Sequence, residues 1–245
     1  MQISGNTILV TGGNSGIGFA LARKFHKHRN RIIITGRNPD RLKQVLEDYP
    51  DWTGYECDFS DTQAITLLAE KIERNHADLN ILINNAGIQV AHHFLNDPGI
   101  PENCLREMRI NFDAPVRLGL HLLPVLLQAD AAAIINVTSA LGEVPRSIFP
   151  IYCASKAALS AYSTALRGQL AETPIRVMEW VPPLTATPMN AHRPGAKISA
   201  DELAAAFLRA FHKDLQVVRP GKAALLHTIH RIWPTKAQAI IESTP

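Results

Sequence analysis

Thr7-Ile8-Leu9-Val10-Thr11-Gly12-Gly13-Asn14-Ser15-Gly16-Ile17-Gly18 decides the fold: a short β-branched, apolar run enters a glycine-rich turn, and the turn opens a helix-length stretch. Glycines permit a tight turn and let the backbone come close to a pyrophosphate, while free N–H groups and the positive end of the helix dipole face the anion. The spacing T-G-x-x-x-G-x-G differs from the G-x-G-x-x-G of other dinucleotide folds. An ordinary strand-to-helix turn can carry as many glycines; the place of this one, directly after the first strand, favours a phosphate cradle.

Outward from that turn the rhythm repeats. Strand-like runs follow at Arg31–Thr35, Gly54–Cys57, Ile81–Asn84, Ala133–Thr138, Ile175–Trp180 and Leu215–Val218. They are nearly all apolar rather than alternating, as expected of strands covered on both faces. Helix-length segments lie between them, at Gly16–Arg29, Pro39–Asp48, Asp61–Asn75, Pro101–Gln128, Ile151–Ala171 and Ala200–Lys213. The alternation predicts an α/β fold, a doubly wound parallel sheet with helices on both faces. Two segments break the rhythm: a proline-rich loop at 182–199, read as a substrate loop, and a tail at 222–245 interrupted by Pro234. Long loops inside compact domains tend to be binding loops.

Composition bounds the rest. The chain has 245 residues, 46% of them hydrophobic and 19% charged, which excludes collagen, low-complexity disorder and a disulfide mini-protein. No linker divides it, so a single domain over 1–245 is expected. The net charge of +3 is too weak and too dispersed to argue for nucleic acid. Three cysteines without CxxC spacing point to a reducing compartment, and no apolar run approaches the ~20 residues of a membrane span. A cytoplasmic protein is the expectation. His92-His93 has no carboxylate or cysteine at ligand spacing and is read as a loop pair, so no metal site is expected.

The second strand ends at Thr35-Gly36-Arg37, with no acid between Arg31 and Pro39. A carboxylate there suits a ribose 2′-hydroxyl, whereas a cation suits a 2′-phosphate. Arg37 therefore favours NADP(H), with NAD(H) possible. Farther on, Tyr152 and Lys156 stand at i and i+4 on one helix face. An ammonium beside a phenol lowers its pKa toward neutrality and makes it a general acid/base. Ser139 sits at the C-terminal edge of the Ala133–Thr138 strand, where α/β sheets bind ligands.

Taken together, the Thr11–Gly18 turn, Asn84-Asn85-Ala86-Gly87, Asn111, Ser139 and the Tyr152/Lys156 pair resemble the short-chain dehydrogenase/reductase family over essentially the whole chain. Within it, SGNTILVTGG, NNAGIQ and HRIWP are similar to the DltE-like oxidoreductases. The resemblance implies a seven-stranded Rossmann sheet and hydride transfer between nicotinamide and a carbonyl or secondary alcohol. It implies Tyr152 as proton donor/acceptor, Lys156 as its pKa-lowering partner and ribose ligand, Ser139 as orienter of the substrate oxygen, and Asn111 as holder of a relay water. It also implies cofactor contacts from Gly12, Asn14, Ser15, Gly16, Ile17 and Gly18, from Asp58 and Phe59, and from Asn85, Ala86 and Gly87. Pro182, Thr185 and Thr187 complete that set, although Pro183 replaces the family's glycine. A homodimer or homotetramer is implied as well. The rival reading is a nucleotide-sensing Rossmann protein without turnover, which would not need a tuned phenol; a sugar-nucleotide epimerase would need a longer substrate region.

Overall fold

The computed structural model describes residues 1–95, 100–193, 195 and 197–243. Pro194, within the expected substrate loop, and the last two residues of the tail lie outside them. The chain runs β1 (Thr7–Val10), α1 (Gly16–Lys27), β2 (Arg31–Gly36), α2 (Pro39–Asp48), β3 (Thr53–Glu56), α3 (Thr62–Asn75) and β4 (Ile81–Asn84). It continues through α4 (Ile100–Met108), a π-helical turn (Arg109–Asp113), α5 (Ala114–Leu126), β5 (Ala132–Val137), α6 (Ala140–Glu143), α7 (Pro150–Gln169) and β6 (Ile175–Trp180). The last part holds β7 (Thr185–Ala186), β8 (Ile198–Ser199), α8 (Ala200–His212), β9 (Val217–Val218), α9 (Lys222–Ile232) and α10 (Pro234–Ser243).

Seven strands form one parallel sheet in the order β3-β2-β1-β4-β5-β6-β9. Successive residues of a strand point to opposite faces, and here each face has its own core. Ile8 and Val10 of β1, Ile32 and Ile34 of β2, and Met178 and Trp180 of β6 feed one cluster, covered by Phe25 of α1 and by Phe207 and Phe211 of α8. Leu9, Ile33, Leu82, Ile134 and Val177 feed the other, covered by Ile65 and Ile72 of α3 and by Leu118 and Leu122 of α5. Both sets are buried, which is why the strands read as continuous apolar runs. The strand order reverses between β1 and β4, and the crevice outside their carboxyl ends is where such sheets bind ligands.

Three expectations need adjusting. The Pro101–Gln128 segment is not one helix: a π turn at Arg109–Asp113 separates α4 from α5. Such turns often mark functional sites, and this one carries Asn111 into the interior. The last strand keeps only Val217–Val218 of Leu215–Val218, because it pairs with Glu179 and Trp180 alone. The 182–199 loop is partly regular, with β7 and β8 paired in a two-stranded sheet. Among the described residues, no helix is long and apolar enough to cross a membrane.

Candidate active site

A cavity of about 980 Å³ occupies the crevice, lined at one end by Gly12, Asn14, Ser15, Gly16, Ile17, Arg37, Asp58, Phe59, Asn85, Ala86 and Gly87. Its opposite end holds Ser139, Tyr152 and Lys156, and Pro182, Thr185 and Thr187 form part of the wall. The turn is built for an anion. Ser15 stands at the N-cap of α1 without bonding its side chain to the helix, and no acid lies in the first turn. In contrast, Asn38, Asp61 and Ser199 cap their helices through their side chains. The first N–H groups of α1 therefore have no capping side chain. Gly16 has φ +54°, a left-handed backbone that a side chain would strain, and a Cβ there would stand 3.3 Å from Thr187. A Cβ on Gly18 would come within 2.6 Å of the Gly12 carbonyl and closer still to the Asn85 amide. This cradle fits the pyrophosphate of a dinucleotide.

The adenosine end carries charge of both signs. Burial raises the Asp58 carboxyl, but hydrogen bonds from Ser60 and the charges of Arg37 and Arg106 outweigh it, and the group stays below the usual carboxylate range. Beside exposed Arg37 the cavity wall includes Arg41, one helical turn into α2. Sequence reading passed over this second cation, although Arg37 and Arg41 stand at i, i+4.

At the chemical end, Ser139 follows β5 and caps α6, its hydroxyl accepting from the Leu141 N–H at 3.2 Å. Its side chain stands close enough to the Tyr152 hydroxyl to pull that group's pKa down. The Lys156 ammonium is buried, donates to the Val137 carbonyl at 2.8 Å and lies 5.9 Å from the centre of the Tyr152 ring. Both groups face one space, as the i, i+4 spacing requires. The acidity expected of the phenol is not found, however. Burial pushes the Tyr152 hydroxyl up to about 12, against the opposing pull of Ser139. Burial also brings Lys156 down to about 8, with the Glu107 charge acting the other way. In so dry a site desolvation dominates, and Lys156 is turned onto a backbone carbonyl.

Asn111 does not line the cavity. It lies behind, its Oδ1 accepting from the Ile88 N–H at 2.9 Å and its Nδ2 donating to the Ile88 carbonyl at 2.9 Å and to Ser155 Oγ at 3.1 Å. A Cβ on Gly87 would be 3.0 Å from Asn111 Oδ1 and 3.6 Å from Lys156 Nζ, so the chain squeezes between the two. One turn earlier, Glu107 extends the grip, accepting from the Val90 N–H at 3.1 Å and meeting His92 Nε2 at 3.0 Å. Both side chains are 0% exposed. His92 and His93 both lie in the loop after β4, as read, but only His93 is exposed: His92 is a buried partner of a carboxylate fifteen residues away. No motif in the sequence announces that pairing. Among the described residues no group of three metal-ligating side chains converges.

At the proline replacing a glycine, the Pro183 carbonyl accepts from Thr185 Oγ1 at 2.7 Å, and among the described residues no peptide is cis. Pro183 still lets the chain return to the cavity, with Thr187 placed over Gly16.

The family model of the short chain dehydrogenases matches residues 6–197 of this chain. The chain belongs to that family. This dehydrogenase is similar to the uncharacterized oxidoreductase DltE of Bacillus subtilis, 38% identical over 192 residues, spanning 78% of this chain and 75% of the relative. It is 31% identical over 252 residues to a fatty acyl-CoA reductase of Mycobacterium tuberculosis, covering 99% and 85% of the two chains. The crystal structure of a short chain dehydrogenase from Burkholderia cenocepacia in complex with NADP superposes with a TM-score of 0.87 at 26% identity, covering 100% of both chains. The dehydrogenase is accordingly an NAD(P)-dependent oxidoreductase of the DltE-like branch, built on a single Rossmann sheet.

Proposed function

We propose that this dehydrogenase uses NADP(H) to interconvert a carbonyl compound and its secondary alcohol, with Tyr152 as general acid/base. One observation carries the reading: Tyr152, with Ser139 beside it, stands in the same cavity as the uncapped start of α1. The N–H groups of Gly16 to Gly18 would hold the pyrophosphate, with Gly12, Asn14 and Ser15 shaping the turn. Asp58, Phe59, Asn85, Ala86 and Gly87 would flank the adenosine side, and Pro182, Thr185 and Thr187 would bound the nicotinamide. When bound, the nicotinamide supplies or accepts the hydride.

The rest falls to the chain. Ser139 donates to the substrate oxygen and places it against the Tyr152 hydroxyl. A phenol near 12 is protonated at neutral pH, so it acts as an acid toward a developing alkoxide. Lys156, near 8, is mostly charged at neutral pH; it steadies the phenolate left behind and holds the nicotinamide ribose. Asn111 is a positioning residue: it fixes Ile88, and with it the chain beside Lys156.

Arg37 and Arg41 support a 2′-phosphate. Each charge-assisted bond is worth roughly 1.5–3 kcal/mol, so Arg37→Ala should weaken NADPH about ten-fold or more relative to NADH. Equal loss for both nucleotides, read by fluorescence titration, would remove the NADP preference. Activity is tested by NADPH oxidation against a panel of neutral aldehydes and ketones; a chain that binds NADPH tightly yet oxidises none of it is a sensor and not this enzyme. The 182–199 loop and the tail over 222–243 are proposed to select the substrate. Leu105 on α4, Leu120 on α5 and Leu127 just beyond it are 43–58% exposed, which supports a homodimer or homotetramer through this side. A reducing, cytoplasmic setting agrees with the buried Cys57 and Cys153 thiols.

A further inference from the structure

Beyond Tyr152 the cavity has a second character. Leu141 of α6, Leu225, Leu226 and Ile229 of α9, and Ile241 of α10 make an apolar wall. Ile241 packs against the cluster of Leu141, Phe149 and Cys153, to which Tyr152 also belongs. Two guanidiniums are set against that same cluster. Arg193, from the loop after β7, lies 5.3 Å from the centre of the Phe149 ring, and Arg146, before α7, lies 5.8 Å from it. Both line the cavity.

The like charges of Arg146 and Arg193 repel each other at this ring. Burial weakens the Arg193 charge, Arg146 opposes it and Tyr152 favours it. The nearby carboxylate, Glu242, accepts hydrogen bonds from Ser147 and Gln238 and feels Arg146. The adenosine end has its own cations at Arg37 and Arg41, whereas the Arg193 charge acts on Tyr152. Arg193 therefore adds positive charge at the substrate end, where a charge-assisted bond to a carboxylate gains strength from the partly dry wall.

We propose that the substrate is an oxo acid with an apolar chain: the carbonyl at Tyr152 and Ser139, the carboxylate at Arg193 with Arg146 beside it, and the chain along the α9–α10 wall. This rests on the carbonyl-reductase reading and narrows its substrate class. It also gives the irregular loop after β6 a purpose, since that loop delivers Arg193 to the site.

The test compares straight-chain oxo acids with their methyl esters, which keep shape and lose charge. With NADPH and the full-length protein, kcat/KM for the acid should exceed that for its ester by about ten-fold or more, a difference of roughly 1.4 kcal/mol. In Arg193→Met the acid-to-ester ratio should fall toward one, chiefly through KM, and Arg193→Lys should restore part of it. The NADPH dissociation constant, titrated without substrate, should change less than about three-fold. A wild-type ratio near one, or a ratio untouched in Arg193→Met, overturns the carboxylate site while the Tyr152 chemistry stands. A loss of NADPH binding in Arg193→Met overturns it too, by assigning the arginine to the nucleotide. If neither acids, esters nor neutral carbonyls oxidise NADPH, the underlying reading has failed, and this one with it.

Discussion

At Lys156 burial and charge oppose each other, and the balance has consequences in solution. The ammonium loses its proton near pH 8, so turnover should fall as pH rises through about 8. In Lys156→Arg, whose guanidinium keeps its charge, that alkaline limb should vanish from the accessible range. A limb unmoved in Lys156→Arg would place the titration elsewhere. Stability should run the other way. A folded pKa of about 8, below the ordinary lysine value of 10.5, means the folded state is penalised while the group is charged, and the penalty is relieved as pH rises from 8 toward 10.5. At neutral pH Lys156→Met removes a buried charge costing about 3 kcal/mol at 1.36 kcal/mol per pKa unit, and forfeits a charge-assisted Val137 hydrogen bond worth roughly 1.5–3 kcal/mol. A net gain of about 0–1.5 kcal/mol, leaving Tm unchanged or raising it by a few degrees, should accompany loss of turnover. Tyr152, Ser139 and Lys156 were legible because their spacing sets their geometry. Glu107 with His92 was not, because a pair closed by tertiary packing leaves no periodic trace.

The turn between β1 and α1 shows how much one element can declare. Its glycines were read as a place of close approach, and Gly18 meets the Asn85 amide and the Gly12 carbonyl where a methyl would go. Gly18→Ala should cost about 1–3 kcal/mol of stability through overpacking and weaken NADPH at least about ten-fold; unaltered melting and binding would show the turn to be slack. The strands were equally legible, since alternate residues such as Ile8 and Leu9 feed separate cores on the two faces. The π turn escaped notice because its residues, Arg109 to Asp113, continue an apolar helical pattern and differ only in which backbone groups pair. Two of the described carbonyl-edge loops, those carrying Arg37 and Ser139, are held by caps at Asn38 and Ser139 itself.

Over the whole molecule, the first half of the sheet carries the glycine-rich crevice, the helix bearing Tyr152 and Lys156 comes from its second half, and the tail packs on α6. Arg219 and His227 both meet the Glu143 carboxylate, at 2.7 and 3.0 Å, and Ser147 is bonded to Glu242, so the tail is tied down by polar contacts at two points. Ending the chain at Pro220 should raise KM for apolar substrates by about ten-fold, roughly 1.4 kcal/mol, with the NADPH dissociation constant nearly unchanged; parallel losses would mean that the tail supports the fold and not the substrate. The tail's course could not be read from composition, since an amphipathic helix does not name the surface it covers. The central claim is that one phenol moves the proton. Its most direct test is Tyr152→Phe, measured for NADPH binding and for single-turnover NADPH oxidation with a carbonyl that the wild type reduces: binding within about three-fold of wild type with the oxidation rate reduced at least about a hundred-fold, in the range general acid catalysis contributes, is the predicted result. Oxidation that persists at a rate near wild type would contradict the account.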